Sequence, residues 1–582
     1  MHELVIRGGT VVDGTGAAGR TADVAVDGGI ITEVGHLGGG AAARTIDADG
    51  LLVMPGVVDI HTHYDGQVTW DPLLSPSCWH GVTTVVMGNC GVGFAPVRPG
   101  AEAWLIQLME GVEDIPGTAL AEGITWGWES FPEYLDALDA MPRALDVGTQ
   151  VPHGAVRAYV MGERGARNEP ASAEDIAAMA AIVKSGVAAG ALGFSTSRTI
   201  MHRAVDGEPV PGTFAAEDEL FGIGRALGEL GTGIFELAPA GVMGEDLDAP
   251  EREAAWMRRL SAAIGRPVSF ALAQHNLAPE QWRDVLRLAA EATADGADLR
   301  AQVAGRPTNM LVGFQTFHPF SGRPTYAAMA TLPLPERVAR LRLPEVRAAI
   351  LSESSPDTPL SAYVNASLDR IFPMGEPPDY EPAPDRSVAA IARRQGRPAE
   401  EVLYDLMLNH DGRNLLMFAL LGFSHGNLDA MREMLVHPNA ALGLSDGGAH
   451  CGVICDASLP TFMLTHWARD RDRGEQLPLE LVVAKMTSGT ARLYGLGDRG
   501  VVAPGYRADL NVVDHQRLAL GLPELVFDLP GGARRLIQRA DGWTHTLVSG
   551  EVTFEDGEPT GARPGRLVRG ARTVAGTVPV RT

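Results

Sequence analysis

GVVDIHTHYDG, residues 56–66, decides how the chain is read. A mostly apolar run from Val57 to Ile60, interrupted by Asp59, ends on two histidines one residue apart. Alternate side chains of a strand share a face, so His61 and His63 point the same way and can grip one metal ion. Imidazole is a common ligand of zinc and similar ions. A His-x-His pair also occurs on surfaces and in packed cores. The placement separates this pair from those cases, because β/α barrels build their sites where strands end.

Upstream of this motif, residues 1–54 read as short strands with turns: ELVIRGGTVVD, TADVAVDGGIITEVG and RTIDADGLLVMPG. Apolar–polar alternation broken by Asp-Gly and Gly-Gly pairs is a hairpin pattern. Downstream, apolar runs such as GVTTVVMGN, GALGFSTS, GTGIFELA, PVSFALAQ, LRAQVAG and ALGLSD alternate with helical stretches such as AEDIAAMAAIVKSGVAAG. Strands alternating with helices imply a parallel sheet, and this many predict a TIM-like (β/α)8 barrel over 55–496. The stretch 307–438 is too long for one crossover and contains the Pro-rich EPPDYEPAPD. We read it as a helix plus an insertion over the barrel mouth. Residues 497–582 return to strands, GVVAPGYRADLNVVD and WTHTLVSGEVTFEDG. The expected architecture is α/β, with the barrel inserted into a small β-sandwich-like domain made of both flanks.

The chain has 582 residues and a net charge of −24, which argues against nucleic acid or an anionic membrane as partner. No run of about 18 apolar residues suggests a membrane span, and the N-terminus lacks a signal-peptide pattern, so a cytoplasmic location is expected. Four cysteines in so long a chain are not a disulfide scaffold. Of the 48 basic residues only Lys184 and Lys485 are lysine.

Asp446 follows another apolar run. A carboxylate beside an activated water can take its proton and pass it to a leaving amine. As an alternative, Asp446 caps a turn before Gly447 and Gly448. Cys90, by itself, reads equally as a buried inert thiol.

The motif set as a whole resembles the amidohydrolase superfamily. MPGVVDIHTH is similar to its first metal motif, and RGVVAPGYRADLNVVD to its exit from the barrel. GVTTVVMGNCG-x-x-x-AP, VPHGAVRAYVMG and GLSDGGAH narrow the resemblance to the N-acyl-D-amino-acid deacylase (D-aminoacylase) branch. It runs from the N-terminus to about residue 556, with 307–438 the least matched part. The resemblance implies that His61, His63, Cys90 and Asp446 bind metal, with Asp446 also the proton shuttle and Cys90 the bridging or binding thiolate. It implies zinc as cofactor and hydrolysis of an N-acyl-(D-)amino acid as the reaction.

Several positions depart from that branch. Neither lysine lies where a carboxylated lysine would bridge two metals. The fifth strand offers Glu236 in place of a histidine, and the sixth ends in Gln274, His275 and Asn276 without the branch's His-Leu-Lys triplet. Glu236 is therefore weighed as a ligand of a second ion against a packed or hydrogen-bonded acid, and His275 as a ligand or a substrate contact. One tight zinc is expected, with a second weak or absent. Arg198 and Arg306 are candidates to receive a substrate carboxylate in place of the lost lysine, because a guanidinium grips it with two prongs. His153, with Arg157, is a candidate for the site wall or the scaffold, and His450 for steadying substrate or Asp446. The expected partner is a small-molecule amide, with a homo-oligomer left open. Two rival functions remain at this point: hydrolysis of a cyclic or aryl amide, and a catalytically inactive barrel used for binding.

Overall fold

The computed structural model describes residues 1–38, 41–354 and 359–572. Two parallel sheets form its centre. The first joins Val57–Asp59, Val82–Met87 and Asp146–Thr149. The second runs Val151–Pro152, Gly193–Ser197, Ile234–Ala238, Val268–Ala271, Leu299–Val303 and Ala440–Leu442, each strand parallel to the next. Strands covered on both faces carry unbroken apolar runs, and Val82–Met87 is buried at every residue. Only Gln150 separates the strand that ends one sheet from the strand that begins the other, and its amide donates to the Met87 carbonyl at 3.0 Å. At the opposite side, Thr62 pairs in parallel with Gly447. There the His63 amide donates to the Gly447 carbonyl at 2.8 Å and the Asp446 amide to the His61 carbonyl at 3.1 Å.

The crossovers are amphipathic helices with ordinary stops. Ala173–Ala189 starts on a capping box, Ser172 with Asp175, and ends at Gly190. It packs Met179, Val183 and Val187 inward.

Both flanks of the chain enter one nine-stranded sheet. Leu52–Pro55 lies antiparallel to Leu510–Val513, which links the N-terminal strands His2–Val11 and Arg20–Asp27 to the C-terminal strands Trp543–Val548 and Glu551–Glu555. Leu4, Ile6, Val24, Val53, Leu510 and Val512 form its separate apolar core.

The stretch 307–438 contains more than helices. Thr308–Val312 and Ile371–Pro373 both pair antiparallel with Leu416–Leu421. Helices including Leu334–Leu341 and Ala399–Met407 pack on this sheet around Met310, Phe314, Phe320, Tyr404 and Phe418. The reading of a helix plus an insertion missed this sheet, because its strands pair across roughly a hundred residues and no local period records such a pairing. Among the described residues, no helix is long and apolar enough to cross a membrane.

Candidate metal centre

His61, His63, Cys90 and Asp446 all lie where a parallel strand runs out into its loop. At the end of the first strand, Thr62 turns outward and its hydroxyl donates to the Val86 carbonyl at 2.8 Å. His61 and His63 therefore both turn inward, each 1% exposed. His61 Nδ1 donates to Gln302 Oε1 at 2.8 Å, since an amide oxygen can only accept. The lone pair of Nε2 is thereby left free. That atom lies 3.4 Å from Cys90 Sγ and 3.4 Å from Asp446 Oδ1. His63 Nε2 lies 3.7 Å from the same Asp446 oxygen.

Cys90 stands in the turn after Val82–Met87 with a φ of 55°. Gly91 follows with a φ of 72°, and a Cβ there would approach the Ser197 backbone nitrogen to 2.9 Å. Asn89 braces the turn, donating to the carbonyls of Thr62 and Val86 at 3.0 Å each. The Cys90 amide donates to Glu236 Oε2 at 3.0 Å. Asp446 also holds a left-handed backbone, with a φ of 48°. Such conformations cost energy and collect at functional sites.

Single donor atoms of His61, His63 and Cys90 all lie within 4.8 Å of one another. Zinc ligands at about 2.0–2.3 Å in a tetrahedron stand about 3.3–3.7 Å apart, which the His61–Cys90, His61–Asp446 and His63–Asp446 separations match. Two nitrogens, a sulfur and a carboxylate oxygen are a donor set that zinc accepts. The electrostatics also favour a cation. Burial pushes the Cys90 thiol well up, and Glu236, Glu113 and Asp446 push it further. Burial raises Glu236 to about 8. Burial opposes charge on His63, but Glu113 and Asp446 outweigh it and raise the imidazole to about 9. Burial would also raise Asp446, yet contact with His63 and the pull of His61 and His450 hold it well below the usual carboxylate range. Burial lowers His61 to about 4. His63 Nδ1, Glu113 Oε1 and Glu236 Oε1 are buried without a hydrogen bond. Each such unmade bond costs about 1–3 kcal/mol. A divalent cation would relieve this crowd of carboxylates, so the residues present fit one.

The other sequence candidates fall into two groups. His450 stays at the site, its Nε2 3.9 Å from Asp446 Oδ2 and 3.8 Å from Glu113 Oε2. Glu236 reaches the site's floor but spends one oxygen on the Cys90 amide. His275, by contrast, is removed from the ligand set. Its Nδ1 accepts from the Ala278 amide at 3.2 Å, so Nε2 carries the hydrogen and donates to Gln281 Oε1 at 2.9 Å. No lone pair is left for a metal. Arg198 is clamped on Glu253 at 2.9 Å and on the Ala215 carbonyl, so it is not free to take a substrate carboxylate. Arg306 borders the cleft, but its guanidinium pairs with Asp456 at 2.8 Å and lies 4.2 Å over the Tyr380 ring. It too is committed elsewhere. His153 is scaffold: it bonds Thr196 at 2.8 Å and Glu219 at 2.9 Å, and Arg157 holds the same carboxylate at 2.7 Å. Lys184 pairs with Glu229, and Lys485 donates to the Ala440 carbonyl.

The sequence reading missed Glu113, His202 and Gln302. Glu113 closes the helix Glu102–Glu113, whose buried face carries Leu105, Leu108, Met109 and Val112. An acid on that apolar face, four residues after Met109, was the available signal. His202 bonds Ser197 at 3.0 Å and faces the cleft. Gln302 sits inside the strand Leu299–Val303, where a buried amide needs a partner.

A cleft of about 280 Å³ opens from the metal-binding cluster. Beyond the polar groups its wall is apolar, with Met201, Val242, Met243, Leu272, Leu420 and Met434 among its residues. A larger cleft of about 740 Å³, bordered by Glu3, Arg44 and Arg507 at the flanking sheet, has no histidine or cysteine and lies away from this chemistry.

The chain is similar to known proteins over nearly its whole length. The model of the amidohydrolase family matches residues 44–554. A D-aminoacylase of Alcaligenes xylosoxydans xylosoxydans is 28% identical, over 98% of this chain and 98% of its own length. An N-acyl-D-glutamate deacylase of the same organism is 28% identical, over 99% and 98%. A solved D-aminoacylase structure, described by one-metal activation and second-metal attenuation of a binuclear centre, superposes with a TM-score of 0.65 at 25% identity, covering 98% of this chain and 100% of that one.

Proposed function

We propose, for a chain that belongs to the amidohydrolase family, that it is a metal-dependent hydrolase removing the acyl group from an N-acyl-(D-)amino acid. The observation that carries this reading is the meeting of His61 Nε2, Cys90 Sγ and Asp446 Oδ1 at 3.4 Å beneath an apolar cleft. His61, His63, Cys90 and Asp446 would hold one zinc ion. When bound, that ion supplies Lewis acidity, which activates water and polarises the amide carbonyl.

The residues of this chain do the rest. Asp446 takes a proton from the attacking water and passes it to the departing amine nitrogen. Its carboxylate, held ionised by the surrounding imidazoles, suits the accepting step. His450, beside Asp446 at the cleft wall, steadies that carboxylate. Met201, Leu272, Leu420 and their neighbours exclude water and receive apolar parts of the substrate.

The scaffold belongs to the same proposal. We read the two parallel sheets as one closed barrel of eight strands. The strand interrupted at Gln150 and the Thr62–Gly447 pairing support that closure. The barrel would occupy 55–496, with 1–54 and 497–582 as the two parts of the flanking domain.

One observation favours a second reading, hydrolysis of a cyclic or aryl amide. Among the described residues lining the cleft, Arg306 is the sole guanidinium, and it is already paired. A panel of N-acyl-D-amino acids, their L-enantiomers, cyclic amides and aryl amides, given to zinc-loaded protein, tests both readings. Turnover of the N-acyl-D-amino acids supports the first. Turnover confined to amides without a carboxylate replaces it with the second.

A further inference from the structure

Glu113 has no assigned role, yet it stands at the join of the metal-binding cluster. It is 2% exposed, at the end of a helix that follows the second strand's loop. Its Oε1 lies 3.4 Å from His63 Nδ1. Both atoms are buried, and neither has another hydrogen-bond partner, so each is the other's available mate. The opposite nitrogen of the same ring, Nε2, faces Asp446. Glu113 Oε1 therefore approaches His63 from behind, at the nitrogen turned away from the ion that Nε2 would meet.

His61 has the same arrangement in a neutral version. Its Nδ1 is taken by Gln302 Oε1 and its Nε2 is presented to Cys90 and Asp446. A partner on one imidazole nitrogen fixes the tautomer and ring rotation and makes the other nitrogen a better ligand. Glu113 has a second attachment through its main chain: its carbonyl accepts from the His450 amide at 2.5 Å. One residue thus touches a histidine of the first strand and the loop that carries Asp446.

We propose that Glu113 is the positioning residue of His63, fixing which nitrogen meets the metal and in what orientation. The proposal rests on the metal-dependent reading above and adds to it a residue that acts through His63.

Zinc affinity, measured by competition with a chromophoric chelator on the full chain, tests it with Glu113→Gln and Glu113→Leu. Both changes leave the main-chain bond to His450 in place. Glutamine keeps an oxygen acceptor for Nδ1–H, whereas leucine offers none. Loss of such a partner costs about 10–100-fold in metal affinity or activity. The expected result is a loss near the upper end for leucine and near the lower end for glutamine. The melting temperature of metal-free protein should stay the same in both, and kcat should fall with KM nearly unchanged. Wild-type zinc affinity in either folded variant overturns the proposal. So does equal weakening in both variants with an equal drop in metal-free melting temperature, which would make Glu113 a structural residue only. If the leucine variant does not fold, glutamine decides alone: weakened affinity at wild-type stability supports the proposal, and unchanged affinity overturns it. Failure of the wild type to bind zinc is a different outcome, and it overturns the metal-dependent reading itself.

Discussion

The first and sixth parallel strands both release histidines into the loops that follow, and the two loops treat them in opposite ways. Around His61 and His63 the fold gathers Cys90, Glu113, Glu236 and Asp446, and it leaves buried polar atoms without bonds. Around His275 every nitrogen is satisfied within a local turn, by Ala278 and Gln281. The sixth strand's loop serves instead as a brace for the 307–438 stretch. Gln274 Oε1 accepts from the Ser424 amide at 3.1 Å, and Asn276 from the Ser424 hydroxyl at 2.8 Å. Ligating atoms gathered within reach of one ion beside carboxylates mark a cation site, whereas a side chain spent on hydrogen bonds within its own turn marks architecture. Residue type and strand position do not separate the two cases. The company of other ligating side chains does.

The largest effect expected from this contrast falls on the first strand. His61→Ala and His63→Ala should each abolish hydrolysis and lower bound metal, with the fold intact by circular dichroism. Normal turnover in either variant would remove the metal assignment. Asp446→Asn comes next: asparagine still offers an oxygen but cannot shuttle a proton. Its kcat should fall by about 10²–10⁴ while most of the metal stays bound. A loss below tenfold would assign the proton transfer to another group. His275→Ala should do least. Zinc affinity should match the wild type, and the penalty should be a modest loss of thermal stability from the broken turn. Loss of zinc in that variant would place His275 among the ligands and erase the distinction between the two strands.

Much of this was readable in the chain itself, for identifiable reasons. His61 and His63 share a face because a strand alternates, a rule confined to three residues. The β/α rhythm likewise repeats within short windows, so the parallel strands could be picked out one by one. The roles of Arg198 and Arg306 were not readable. A guanidinium after a strand looks the same in sequence whether it faces a substrate or is clamped, as here, by Glu253 or Asp456. His275 misled for the same reason, since its partners lie in its own turn and no motif announces them. Glu113 escaped notice because helix Glu102–Glu113 carries several acids, and only the packing shows which one is buried. The sheet Thr308–Val312 with Leu416–Leu421 was hidden by the distance along the chain between its strands.

The most direct test is metal stoichiometry tied to activity. The protein is stripped with a strong chelator, zinc is added back in fractions of an equivalent, and hydrolysis of an N-acyl-D-amino acid is followed alongside elemental analysis after dialysis. One cluster of His61, His63, Cys90 and Asp446, with His275 spent on its own turn and one Glu236 oxygen on the Cys90 amide, predicts a definite curve. Activity should vanish on stripping and return in full at one equivalent of zinc, with any further ion lost to mild chelation. Full activity in the stripped protein, or two ions per chain that resist chelation and are both needed for turnover, would contradict the account.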